Sequence, residues 1–224
     1  QTRRNIGFRN VAVPNDTYIP LQVTEANSGR QVTVYNQAPA LRGRVDNLYF
    51  NTDTANSDYN GADITINRRM SNKWSLNGGA SFGKTLGDIL SQDLNNPNSA
   101  EFRRGLLGND SPWSYRASGV YQLPQDVFVS GTWQYYQGFP ESTTVAIGNN
   151  TVALTQGTTT LTVEPRGTTR LPPISSVDFS VRKGFKVQQW RIEPRLDFYN
   201  MTNQASVIGR LTQLGPTYGR ITAI

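Results

Sequence analysis

The sequence contains neither cysteine nor histidine in its 224 residues. Without cysteine there are no disulfides, no thiolate metal sites and no cysteine nucleophile. Without histidine the chain lacks the commonest general base, the commonest zinc ligand and the usual activator of a nucleophilic serine. Ser-His-Asp hydrolysis and histidine-based metal chemistry are therefore excluded. Long apolar runs are missing as well: no stretch approaches the ~18 residues that a spanning helix requires, so any membrane crossing has to be made by strands. The net charge of +6 suits an anionic partner. Arg and Lys are scattered in ones and twos and never form a basic run, which argues against nucleic acid. No Walker-type loop and no dinucleotide fingerprint is present, which argues against nucleotide chemistry. Gln1 leads directly into polar, Arg-containing sequence with no apolar core of a signal peptide, so a leader was removed or belonged to a longer precursor.

What the chain does have is turn formers and alternation. Only 36% of residues are hydrophobic, and 20 Gly and 12 Pro punctuate the sequence, a composition of short elements and many reversals. Apolar and polar residues then alternate with period two, as in a strand whose faces meet different surroundings. Ala62, Ile64 and Ile66 are interleaved by Asp63, Thr65 and Asn67. Trp74, Leu76, Gly78, Ala80 and Phe82 are interleaved by Ser75, Asn77, Gly79 and Ser81. The pattern returns in Ala117 to Leu123, in Val127 to Tyr135, in Val177, Phe179 and Val181 against Asp178, Ser180 and Arg182, and in Ile192, Leu196 and Phe198 against Arg191, Glu193, Arg195 and Asp197.

Links between these strands also alternate. Residues 70–72, 124–126 and 185–189 read as tight polar reversals, whereas 85–112, 138–173 and 200–217 are long excursions rich in Gly, Asn, Thr and Pro. Short turns on one side and long loops on the other are the arrangement of membrane β-barrels. A soluble β-sandwich also produces alternation. Full charges on the polar face (Asp63, Asp178, Arg191, Glu193, Asp197) suit a wet lumen, and aromatics near strand ends (Trp74, Trp113, Tyr121, Trp133, Tyr135, Phe198) suit an interfacial girdle. The expected fold is all-β: an antiparallel up-and-down meander of about eight long strands, a barrel or partial barrel with long loops on one side, spanning 1–224 as a single barrel-type domain.

From Asn47 onward the order of motifs resembles the C-terminal barrel of TonB-dependent outer-membrane transporters, in particular the Oar-like branch. The motifs are Asn47-Leu48-Tyr49-Phe50, then Ser57-Asp58-Tyr59-Asn60-Gly61-Ala62 leading to Arg68-Arg69, then Trp74-Ser75-Leu76 through Phe82 closed by Lys84-Thr85. They continue with Ser118-Gly119-Val120-Tyr121-Gln122-Leu123-Pro124, Gly138-Phe139-Pro140, Arg195 through Asn203, and Tyr218-Gly219-Arg220-Ile221. The resemblance implies a 22-stranded barrel plugged by a separate domain and importing a nutrient through coupling to TonB. It also implies a plug, a TonB box and a final strand, none of which is in this sequence, so the chain reads as a fragment of a longer precursor. In that reading its partners are outer-membrane lipid and the remainder of a longer barrel, and its location is the bacterial outer membrane. The alternative is an extracellular tube or filament in which copies of a released fragment pair through their sheet edges.

No catalytic, cofactor-binding or metal residue is assigned, and the chain is not expected to be an enzyme. Several features are still weighed as sites. Asp88, Asp93, Asn95, Asn96, Asn98, Glu101 and Asp110 supply hard oxygens of the kind calcium takes, without the ordered spacing of an EF-hand, so a solvated loop is expected. Arg103-Arg104 beside Glu101 reads as surface ion pairing or an anion contact. Gly78-Gly79 marks a bend or a close approach. The tract 151–162 reads as a hairpin reversing at Gly157 or at Gly148-Asn149-Asn150, or as a glycan contact. Asp53, Asp58, Glu141 and Glu164 are the carboxylates that a glycoside hydrolase pair would draw on.

Overall fold

In the computed structural model, which describes residues 2–88 and 93–224, 55% of the chain is strand and 4% helix, as the alternation requires. In chain order the strands are β1 (Thr2–Asn10), β2 (Tyr18–Thr24), β3 (Gln31–Gln37), β4 (Asn47–Ser71), β5 (Trp74–Asp88), β6 (Arg104–Leu106), β7 (Trp113–Leu123) and β8 (Val127–Tyr136). They continue with β9 (Thr144–Ile147), β10 (Thr159–Thr162), β11 (Ile174–Lys183), β12 (Phe185–Val187), β13 (Trp190–Ile192), β14 (Arg195–Phe198), β15 (Gly209–Arg210) and β16 (Ile221–Ala223).

Seven of them form one antiparallel wall in the order β1-β4-β5-β7-β8-β11-β14, with β6 added beside the top of β5. Each wall neighbour follows its predecessor among the wall strands, which is an up-and-down meander. No closed barrel forms among the described residues: β1 pairs only with β4, β14 only with β11, and both run toward the same end of the wall.

The reversals at one end are short because their residues accept left-handed backbone. Ser71 pairs with Trp74 across Asn72 (φ 52°) and Lys73 (φ 70°), two positive φ values in a row, as the right-handed twist of a two-residue hairpin demands. Gln125 and Asp126 (φ 65° and 58°) turn β7 into β8, and Gln188 (φ 55°) turns β12 into β13. The first turn is centred one residue beyond the expected 70–72. At the opposite end emerge the long links, 11–46, 89–112 and 137–173, together with the segment after β14.

Two of the links, 11–46 and 137–173, hold a buried core. Among the described residues every buried large apolar side chain lies in them and none in the wall. Val34 of β3 packs with Val145 and Ile147 of β9, and with Leu154, Leu161 and Val163. Leu21, Val23, Val32, Val152 and Leu214 surround this cluster. Hairpins β2–β3 and β9–β10 thus meet through alternate residues to make a cap with its own dry core. Asn36 and Gln156 bind the hairpins further: Asn36 Oδ1 accepts the Thr155 amide at 2.7 Å, and the Gln156 side chain bonds both Tyr35 O (2.7 Å) and the Gln37 amide (2.8 Å). The chain after β14 joins the same cap through a parallel bridge from Gln213 to Thr144.

Candidate functional site

The wall is one sheet thick, and its register carries the alternation of each strand across its neighbours. Ile64 pairs with Ala80, Ala80 with Tyr115 and Tyr115 with Tyr135; Ile66 pairs with Gly78, Gly78 with Ala117, Ala117 with Trp133 and Trp133 with Val177. Residues paired across strands share a face, so these rows build one continuous apolar surface. The intervening rows, Thr65-Gly79-Arg116-Gln134-Ser176 and Asn67-Asn77-Ser118-Thr132-Asp178-, build the other. Apolar residues on the first face stay open to the surroundings: Ile66 is 58% exposed, Trp133 41% and Leu196 67%. A sandwich buries that face against a second sheet; here no second sheet covers it among the described residues.

Aromatic rings bound the apolar face. Toward the cap, Phe82 meets Trp113 edge-on at 5.6 Å, Tyr115 stacks on Trp133 at 6.2 Å with planes 6° apart, and Tyr115 and Tyr135 lie 5.7 Å apart. Toward the turns, Trp74 pairs with Tyr121, and the Arg68 guanidinium lies 3.8 Å over the Trp74 ring. The 11 residues of β7, from the Trp113 row to the Leu123 row, rise roughly 33 Å along the strand. At the tilt of membrane barrels that becomes roughly 23 to 27 Å, the height of their lipid-facing band.

The opposite face is polar and internally bonded. Ser130 and Ser180 share a 2.7 Å hydrogen bond, Asp178 Oδ1 accepts the Asn200 amide at 2.8 Å, Arg195 pairs with Asp197 at 2.7 Å, and Arg182 lies 4.6 Å over Phe128 while reaching Glu193 at 3.3 Å.

Above the wall, the residues weighed as a calcium site have other work. Asp93 Oδ1 accepts the amides of Asn10 and Asn95, and Asn96 Oδ1 accepts that of Asn98. Asn98 exchanges two 2.8 Å bonds with the backbone of Tyr35, standing in for a strand partner on β3. Asp110 binds Arg170, and Asp88 faces Arg104 at 3.7 Å. Among the described residues no three acidic side chains converge as a metal site would require. Asp88, Asn98 and Asp110 are buried, so this loop is not the wholly solvated one expected. Arg104 forms a partly exposed ion pair with Asp58 at 2.7 Å. Of the four carboxylates weighed for hydrolysis, the side chain of Asp53 falls outside the described residues. Each of the others is held by its own partner: Asp58 by Arg104, Glu141 by Arg210 (Nε to Oε2 2.6 Å) and Glu164 by the Thr143 hydroxyl. The hydrogen bond that Arg210 donates to Glu141 lifts the Arg210 pKa above its ordinary value, outweighing partial burial.

Gly78 and Gly79 sit mid-wall with only ordinary contacts around them and mark no close approach. The tract 151–162 contributes β10, which pairs with Thr144–Ile147 as one hairpin across a link holding both Gly148 and Gly157. Gly138, at the neck between wall and cap, has no room for a side chain, because a Cβ there would collide with the Leu171 carbonyl. A polar cleft of about 540 Å³ opens in the cap between β2–β3, residues 97–102 and β10, lined in part by Gln22, Arg30, Tyr35, Asn98 and Phe102. Sequence reasoning did not find it, since its walls come from three links that no local pattern connects. No protein-family model, no curated protein and no solved structure matches the chain.

Proposed function

We propose that the chain is a wall-and-loop segment of an outer-membrane β-barrel, resembling those of Oar-like TonB-dependent transporters, and that it serves nutrient uptake without catalysing a reaction. The observation that carries this reading is the uncovered apolar face, continuous in register across the wall and bounded above and below by aromatic rings. Lipid is the surrounding that such a face fits; the opposite, charged face fits a water-filled lumen. The cap, on the side of the long loops, then faces the exterior and offers its cleft to incoming solute.

Among the described residues the outer edges of β1 and β14 have no strand partner, which favours a second reading in which copies of the chain join edge to edge into a tube. Arginine placed on either face distinguishes the surroundings. Ala117→Arg and Val177→Arg on the apolar face should each cost about 2 to 4 kcal/mol of stability in bilayers, whereas Asn77→Arg and Thr132→Arg should be tolerated. Equal tolerance on both faces sinks the membrane reading. Long tubes in plain buffer select the second reading, and a compact monomer there removes both.

A further inference from the structure

The turn end of the wall carries positive charge that nothing nearby balances. Asp126 and Glu193 are its acidic residues, and both are already taken up: Asp126 by Arg191 at 3.1 Å, Glu193 by Arg191 at 2.6 Å and Arg182 at 3.3 Å. Arg68, Arg69, Lys73, Lys183 and Lys186 remain, and none forms an ion pair with a described residue. Arg68 pairs with Leu76, one row above Trp74 and Tyr121, and Lys183 pairs with Val127, one row below them, so both lie on the apolar face near its turn end.

Both stems lie against rings at that border. The Arg68 guanidinium covers Trp74, with its Nε buried and without a hydrogen-bond partner, and Lys183 Nζ stands 5.1 Å over Phe185. Cations on aromatic platforms at the foot of an oily surface suit the depth of lipid headgroups, where a long stem stays in the apolar layer and its charge reaches phosphate. Between them an apolar groove rises from Trp74 and Tyr121 past Gly119 and Gly131 to Phe179, where the two paired glycines leave room for an acyl chain.

We infer that the turn end of the wall selects anionic phospholipids from the leaflet it contacts, headgroups at the Arg68-to-Lys186 rim and acyl chains along the Gly119–Gly131 groove. This rests on the membrane reading above. The attraction of basic residues to anionic lipid, about 1 kcal/mol per charge near a surface, sets an expected preference of about fivefold or more.

The test uses the full chain with Trp113→Phe and Trp133→Phe, so that Trp74 and Trp190 report on the turn end alone. It is placed in phosphatidylcholine vesicles containing brominated phosphatidylglycerol or brominated phosphatidylcholine at equal fraction. Stronger fluorescence quenching by the anionic lipid is expected. The preference should vanish when Arg69, Lys73, Lys183 and Lys186 are all changed to Gln, and persist in the charge-keeping variant Lys73→Arg/Lys183→Arg/Lys186→Arg. Equal quenching by the two lipids, or a preference that survives the Gln changes, overturns the inference and leaves the membrane reading standing. Absence of quenching by either lipid overturns both.

Discussion

Asp110 and Arg170, 60 positions apart in the chain, meet at 2.5 Å beneath the cap, and the second carboxylate oxygen of Asp110 accepts the Thr85 amide at 2.6 Å. One side chain, only 1% exposed, thereby ties the top of β5 to two separate links. Arg170 answers with bonds to the carbonyls of Gly138 and Asp110 at 3.1 and 3.2 Å, so the neck is fastened from both sides.

Removing that carboxylate leaves a guanidinium half-sequestered and a backbone amide without its acceptor. Asp110→Ala should destabilise the cap by about 3 to 5 kcal/mol, seen as proteolysis within 138–173 at protease levels that leave the parent chain intact. Unchanged cleavage counts against this pair as the fastening.

Glu25 is nearly buried at the tip of β2–β3. Its carboxylate accepts the amides of Asn27 (2.9 Å) and Ser28 (2.7 Å), with the Ser28 hydroxyl and the Asn27 side chain adding two more bonds. Burial acts to raise its pKa, but the four hydrogen bonds win and hold it at about 2, below the ordinary 4.5. A pKa depressed by folding gives stabilisation that is complete above pH 4.5 and is lost as pH falls toward about 2. Amide-exchange protection at Asn27, Ser28 and Gly29 should follow that course, and in Glu25→Gln it should be low at every pH. Protection that stays level through this window in the parent chain contradicts the assignment.

Lys73 holds φ at 70° in the first hairpin, where glycine is the residue with least steric cost. Lys73→Gly keeps Asn72 in front of it and completes the Asn-Gly pair that such turns favour, so it should stabilise the β4–β5 hairpin by about 1 kcal/mol. Equilibrium unfolding in urea measures this; a loss of stability shows that the lysine side chain contributes more than its backbone strain costs.

The wall was legible in the sequence because its signal is local. Period-two alternation and turn residues each act within about ten residues, and the Trp74–Phe82 and Val177–Val181 patterns carried straight through to register. The cap was not legible. Val145 and Ile147 alternate as strand residues should, yet they lie among Gly, Asn and Thr, and their partner Val34 belongs to a different link. Nothing near Asn98 announces that its amide completes the edge of β3 at Tyr35, for the pairing exists only once the links are folded together. β1 escaped for the opposite reason: Arg and Asn dilute its alternation, and it is fixed by pairing from Asn10 with Asn47 at the upper part of β4. The aromatic platforms were visible as residues near strand ends, but the cations seated on them were not, because Arg68 and Trp74 come together only across the tight turn between β4 and β5.

The shared heading of β1 and β14 has an arithmetic consequence. Seven alternating strands joined end to end would bring two like-directed neighbours together at the seam, so a ring that keeps every neighbour opposed must insert an odd number of further strands. Whichever molecule supplies them, one more or fifteen more will serve and two will not.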